Sequence, residues 1–335
     1  ARLPRPAGLT RRFMTDLLQQ LINGLAVGST YALIALGYTM VYGVLRLINF
    51  AHGDVFMVGA FVGCYTTRFI QERLGLADVA DQSIWVALVS TLCAMIACGA
   101  LGYAIERLCY RPLRRASRLA SLITAIGVSL FLEYLLQIEW HWRGDRFFGP
   151  TPTAVPKIAI GSYAFDQAIL PIKNATGLSV SGNDLLTFGA ALFCLALLFY
   201  IVRFTRTGKA MRAVSTQYDA ARLMGINIDR IISFTFILGS MLAAVGGVIY
   251  GFRYRSITPL LGILPGLKAF IAAVIGGIGN IPGAAVGGLI LGVVEALVAY
   301  AGWSEYQDAA AFFILILVLL VKPEGIFGKA VPEKV

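Results

Sequence analysis

The strongest constraint on this chain is a series of apolar stretches, each about as long as a lipid bilayer is thick. A spanning helix needs about 20 mainly apolar residues, because the hydrocarbon core is about 30 Å across and a helix rises about 1.5 Å per residue. Such stretches run over 17–45, 54–72, 84–105, 121–140, 184–203, 231–252, 268–301 and 308–321. Of the 335 residues, 58% are hydrophobic and 14% are charged, whereas soluble chains carry about 25% charged residues. Too few polar groups remain to cover a water-facing surface, so lipid is the solvent. The sequence therefore predicts an all-α polytopic membrane protein, since helices satisfy their own backbone groups in hydrocarbon. The first and seventh stretches exceed one simple crossing and contain glycines. Each has room for one pass or for two short or broken ones, giving eight to ten transmembrane helices with broken Gly-rich segments.

The net charge of +10 does not indicate a nucleic-acid partner. The basic residues sit in short stretches between apolar runs, where they read as topology: cytoplasmic loops retain Lys and Arg. The loop 103–118 carries Arg107, Arg111, Arg114, Arg115 and Arg118 against Glu106. The loop 203–230 carries Arg203, Arg206, Lys209, Arg212, Arg222 and Arg230 against Asp219 and Asp229. Both are expected inside. The long loop 141–183, poor in basic residues, is expected outside. Arg253 and Arg255 violate the pattern, because 253–267 should also be external. Lys322, Lys329 and Lys334 place the tail 329–335 in the cytoplasm. From an external 253–267, an internal tail requires three crossings, so 268–301 must cross twice. Residues 1–13 read as an N-terminal extension before Met14, and 14–328 as one transmembrane domain. A signal peptide is disfavoured, because its apolar core would be too long and no A-x-A site follows.

The chain has 36 glycines, many spaced four apart: Gly24/Gly28, Gly59/Gly63, Gly247/Gly251, Gly283/Gly287 and Gly288/Gly292. Such pairs share a helix face and let backbones approach closely. Alternatively, unwound glycine backbone lines a polar path where it is shielded from lipid. The segment 275–283 (IGGIGNIPG) fits the second reading best, with Gly276, Gly277, Gly279 and Asn280 as candidate path residues.

Ionisable residues within a membrane are costly and are functional candidates. Glu295 sits mid-segment in LILGVVEALVAY, and Glu133 in SLFLEYLLQ with Gln137 one turn on. Each is either functional or a hydrogen-bond anchor to a neighbouring helix. The turn 49–54 (NFAHGD) is a candidate substrate-facing element through Asn49 and His52; Asp54 can instead cap a helix. The five cysteines, Cys64, Cys93, Cys98, Cys109 and Cys194, form no CxxC pair, and there are two histidines. Neither a metal site nor a catalytic site is expected. The sequence contains no P-loop, HExxH or GxSxG motif. An enzyme is therefore disfavoured, as is an energy source within this chain.

The most informative polar segment runs from Arg206 to Asn227 (RTGKAMRAVSTQYDAARLMGIN). It reads as a short amphipathic helix ending at Gly225, where glycine provides a left-handed cap. The next helix should start near Asn227 or Asp229. A short helix held between two spans makes a rigid docking knob.

Asp219-Ala220-Ala221-x-x-x-Gly225 resembles the EAA-x-x-x-G coupling loop of ABC importer permeases, without its Ile-x-Leu-Pro continuation. The segments GSTYALIALGYTMVYGVLRLINFAHGDVFMVGAF (28–61), ERLCYRPLRR (106–115), LITAIGVSLFL (122–132), GLKAFIAAVIGGIGNIPGAAVGGLILGVVEAL (266–297) and LILVLLVKPEGIFG (315–328) resemble, in order, the LivH-type permease of branched-chain amino acid ABC transporters. The resemblance covers essentially the whole chain from Met14. It implies a subunit forming half of an ATP-driven import pathway in the bacterial inner membrane. It also implies a LivM-type second permease, two ATPase subunits that carry ATP and Mg, and a periplasmic binding protein delivering leucine, isoleucine or valine. No cofactor is expected in this chain. The coupling role falls on the loop 204–230, through Gly208, Arg212, Asp219, Ala220, Ala221 and Gly225. A urea or short-chain amide importer permease shares the turn at 48–53, and a stand-alone secondary transporter is the reading from a different class.

Overall fold

The computed structural model describes residues 6–47, 49–74, 84–142, 145–149, 151–155, 159–160, 163–164 and 177–328. Its helices, in order, are α1 (Pro6–Leu45), α2 (His52–Leu74), α3 (Ile84–Ile105), α4 (Arg118–Gln137), α5 (Gly182–Phe204), α6 (Arg206–Thr216), α7 (Tyr218–Leu223), α8 (Ile228–Tyr254), α9 (Ile263–Gly276), α10 (Ile281–Tyr300) and α11 (Gln307–Val321). Strand is confined to short antiparallel pairs such as Thr153–Ala154 with Ser256–Ile257. The protein is thus all-α and polytopic.

Among the described residues, seven helices are long and apolar enough to cross a membrane. Helix α2 is 23 residues long but carries Asp54 at its start and Arg73 at its end. Helix α9, with 14 residues, spans only about 21 Å at 1.5 Å per residue, short of the hydrocarbon thickness. The described residues thus hold seven such spans against the expected eight to ten, and α2 and α9 fall outside the seven.

The stretch 17–45 does not hold two passes: α1 is a single helix of 40 residues. Its glycines pack rather than break. A Cβ added at Gly24 would lie 2.7 Å from the Val293 Cα, and one at Gly28 would lie 2.7 Å from the Gly288 carbonyl oxygen. A Cβ at Gly292 would overlap the Gly24 and Gly28 backbone outright. The Gly24/Gly28 and Gly288/Gly292 pairs are thus two halves of one contact, which joins α1 to an antiparallel α10. Gly59 and Gly63 of α2 meet Ala244 and Val248 of α8 in the same way, while Gly247 meets the Phe56 carbonyl and Ala60. Bilayer lipid is as apolar as leucine, so close van der Waals packing of this kind is what holds membrane helices together.

The stretch 268–301 does break where proline and glycine cluster. Helix α9 ends at Gly276, Gly277 and Gly279 take φ of +99° and +93°, and α10 begins at Ile281. Positive φ is nearly free for glycine and costly for other residues. Asn280 caps α10, its Oδ1 accepting from the Gly283 N–H at 3.2 Å, and Pro282 occupies the first turn, where its missing N–H is not needed. The exposed carbonyls at the end of α9 are also satisfied: Ile326 N–H donates to Ile275 O at 2.8 Å and Phe327 N–H to Gly276 O at 3.2 Å.

The core surrounds the central halves of α1, α8 and α9. By contrast, α4, α5 and α11 expose large apolar side chains such as Phe131, Phe193 and Leu320, as lipid-facing or partner-facing helices must. Arg253, which violates the charge pattern, pairs with Asp184 at the start of α5, where Asp184 also closes a capping box with Ser181. Its charge is held within the fold and no longer reports topology.

Replacing Gly292 by leucine should separate α1 from α10 and destabilise the protein by about 1–3 kcal/mol, the usual cost of overpacking. Gly189→Leu in α5, where a Cβ meets nothing within 4 Å, should change stability by less than about 0.5 kcal/mol. Thermal unfolding of the two purified variants side by side checks this.

Candidate functional site

A cluster of charged and hydroxyl side chains lies at the junction of α1, α9, α10 and α11. Glu295 of α10 is buried, at 4% exposure. Its Oε2 accepts from the Tyr31 hydroxyl of α1 at 2.9 Å. The Lys268 ammonium of α9 stands 3.0 Å from Oε1, so each oxygen of the carboxylate has its own partner. Lys268 reaches Asp308 of α11 as well, at 2.6 Å, and lies 5.7 Å from the centre of the Tyr31 ring. Two carboxylates thus share one ammonium. Desolvating charges is expensive, and pairing plus hydrogen bonding is what makes such burial tolerable.

This cluster is one wall of a cavity of about 500 Å³, within the range of about 300–1,000 Å³ typical of small-molecule sites. Tyr31, Lys268 and Glu295 line it together with the apolar Val27, Leu260, Leu261 and Leu264. Tyr250 and Tyr254, tilted at 33° with 4.3 Å between ring centres, line it as well.

A second cavity, of about 1220 Å³, opens at the other end of the bundle. Gly279 and Asn280 line it, as do Tyr42 and Gly43 of α1, Arg46 just after it, Arg203 of α5, and Arg212, Ser215 and Thr216 of α6. Both cavities border α1. From Tyr31 to Tyr42 the helix climbs about 16 Å, so a stretch of packed core separates them.

The remaining sequence candidates are distributed as follows. Glu295 faces the first cavity, and Gly279 and Asn280 the second. Gly276 and Gly277 do not line either one: Gly276 packs on the Gly283 backbone, and Gly277 on Gly328 and the Glu324 carbonyl. Asn49 and His52 are buried outside both cavities. Asn49 accepts from the Tyr110 hydroxyl at 2.9 Å, and His52 meets the Tyr38 ring edge-on at 4.7 Å. Beside them, Gly53 touches Gly262 and Gly266, so the first turns of α2 and α9 meet inside the bundle. Asp54 lies in the first turn of α2, and the carboxylate accepts from Ser129 of α4, with Glu133 against the same pair.

The docking segment forms two helices rather than one, α6 and α7, parted at Gln217, which has an extended backbone. Gly225 follows with φ +80°, the expected left-handed cap, and Asn227 caps α8 through the Arg230 N–H at 3.1 Å. Gly208 is fixed against the Ile201 and Val202 carbonyls, while Arg212 donates to the carbonyls of Val202 and, at 3.2 Å, Arg203. Ala221 is buried, Ala220 half-buried, and Asp219 exposed. Sequence reasoning missed the two residues that stand out most: Leu223 and Met224 are 88% and 82% exposed at the tip. It also missed Lys268, which opens an apolar stretch and looks like a flanking charge.

The family pattern described as branched-chain amino acid transport system, permease component, matches residues 20–319. The chain is 43% identical over 318 residues to the high-affinity branched-chain amino acid transport permease BraD of Pseudomonas aeruginosa, covering 95% of this chain and 98% of that protein. It is 42% identical to LivH of Escherichia coli, again over 95% of this chain and 97% of the relative. A probable LivH of Methanocaldococcus jannaschii is 27% identical over 96% of both chains.

Asn280 both caps α10 and donates to the Phe327 carbonyl at 3.0 Å. Asn280→Ala should therefore destabilise the protein by about 1–2 kcal/mol, as lost caps do. It should also loosen the segment 322–328 preferentially, read as faster amide exchange there than in α10.

Proposed function

The chain belongs to the family of branched-chain amino acid transport permease components, and from that premise we propose that it forms half of an import pathway for leucine, isoleucine and valine. It is a multi-pass membrane permease subunit rather than an enzyme. The observation that carries this reading is the match along nearly the full length of both this chain and the high-affinity permeases. The reading is supported by two separate cavities bordering one helix, since alternating access needs an entrance and an exit that are not open to each other at once.

The finer assignments follow from charge and packing. The end bearing α6 and α7 carries Arg203, Arg206, Lys209, Arg212 and Arg222, so it faces the cytoplasm, and the cavity of Tyr31, Lys268 and Glu295 faces outward. Helix α2 then completes an eighth crossing, and α9 with the chain before it makes a ninth, shortened one. The protein sits in the bacterial inner membrane. A LivM-type permease supplies the other half of the path, two ATPase subunits with ATP and Mg supply energy, and a periplasmic binding protein supplies substrate. Glu295, Gly279 and Asn280 lie on the path, while Asn49 and His52 stand behind it in the packed core. Leu223 and Met224, exposed beyond Asp219, Ala220 and Ala221, are the apolar anchors for the ATPase.

Reconstituted with those partners, the chain should take up branched-chain amino acids only when ATP is hydrolysed. Uptake by this chain alone, driven by an ion gradient, would refute the reading. Replacing both Leu223 and Met224 by aspartate should leave the membrane domain folded but weaken ATPase docking by about 2 kcal/mol or more, the cost of losing a buried anchor, which is on the order of 30-fold. Co-purification of ATPase with the variant measures it.

A further inference from the structure

Resting on the reading above, we propose that Tyr31, Lys268, Glu295 and Asp308 form the subsite that receives the charged end of the transported amino acid, by exchange of ion pairs. The cluster holds one ammonium between two carboxylates. A zwitterion adds one charge of each sign. Its ammonium takes the place of Lys268 against Glu295 Oε1, the oxygen that Lys268 holds at 3.0 Å, and its carboxylate is held by the freed Lys268. Asp308, half-exposed on its side chain, keeps its contact with the lysine. Every charge remains paired, so the exchange leaves no isolated charge at any stage of entry.

The surroundings fit such a ligand in two further ways. Rings of Tyr31, Tyr250 and Tyr254 line the same cavity as Glu295, and tyrosine faces attract ammonium groups. Leu260, Leu261 and Leu264 line it too and offer contact for an aliphatic side chain with no hydrogen-bonding demand. Stability alone does not account for the cluster: a buried ion pair is about as stable as a well-packed apolar substitute. A neutral polar ligand such as urea would leave Lys268 and Glu295 where they are and gain nothing from either.

The test uses the assembled transporter, with its second permease, ATPases and binding protein, in liposomes free of aminophospholipid so that no lipid ammonium competes. Uptake of leucine and ATP hydrolysis stimulated by the binding protein are measured together. Glu295→Gln keeps a partner for the Tyr31 hydroxyl and leaves Lys268 paired with Asp308. Lys268→Met with Glu295→Gln removes both buried charges at once. Both variants should assemble and hydrolyse ATP while taking up leucine at least about tenfold more slowly, because a charge-assisted hydrogen bond to the substrate is gone. Undiminished uptake in either variant would overturn the subsite and leave the transport function standing. Loss of assembly or of ATP hydrolysis in parallel with uptake, in both variants, would make the cluster a structural tie and likewise overturn it. Failure of the unaltered complex to take up any branched-chain amino acid would remove the functional reading and the subsite with it.

Discussion

The contact between α1 and α10 determines where the polar groups of the bundle meet. Gly24, Gly28, Gly288 and Gly292 bring two antiparallel backbones to within touching distance. Helical side chains lean toward their own N-terminus, so Tyr31, one turn beyond Gly28, leans back along α1 while Glu295, one turn beyond Gly292, leans back along α10. In an antiparallel pair these leanings converge, and the hydroxyl reaches the carboxylate at 2.9 Å. A wider helix spacing would leave Glu295 with Lys268 alone.

The second requirement is that backbone polar groups remain satisfied where a helix stops short. Helix α9 ends inside the bundle, yet its final carbonyls accept from Ile326 and Phe327, and the new start at α10 is capped by Asn280. The chain after α11 folds back to supply those donors, so the break and the C-terminal segment depend on each other. The same break frees α9 to place Lys268 one turn from its start, beside the meeting point of α2 and α9, where Gly53 lies on Gly262 and Gly266.

Much of this was legible in the sequence, for reasons that differ from residue to residue. The helices were legible because only helices are both long and apolar in this pattern. The interruption at 277–280 was legible because a proline and closely spaced glycines oppose a helix on their own account. The continuity of α1 was not, since Gly24 and Gly28 look the same whether they break a helix or pack it; the outcome depends on Gly288 and Gly292, some 260 positions away. Glu295 was legible as an acidic residue in an apolar run. Its partner was not, because Lys268 stands at a boundary where flanking lysines are ordinary. Arg253 misled for the opposite reason: its partner Asp184 lies at the start of α5, and no local pattern joins them.

The knob formed by α6 and α7 is mechanically part of the second cavity rather than an appendage to it. Arg212, Ser215 and Thr216 are wall residues of that cavity, and Arg46, at the end of α1, donates to the Ser215 carbonyl at 3.2 Å. A displacement of α6 therefore cannot leave the cavity's shape unchanged, and it must also load the end of α1. Helix α1 is continuous from Arg46's turn back to Tyr31, and Tyr31 holds Glu295. A rigid helix transmits an axial or tilting motion along its length with little loss. Had the stretch 17–45 been two broken passes, a flexible joint would lie between the knob and the ion-pair cluster. The single helix removes that joint, which gives the glycines of α1 a mechanical consequence: by packing instead of unwinding, they keep the two ends of the bundle in one piece.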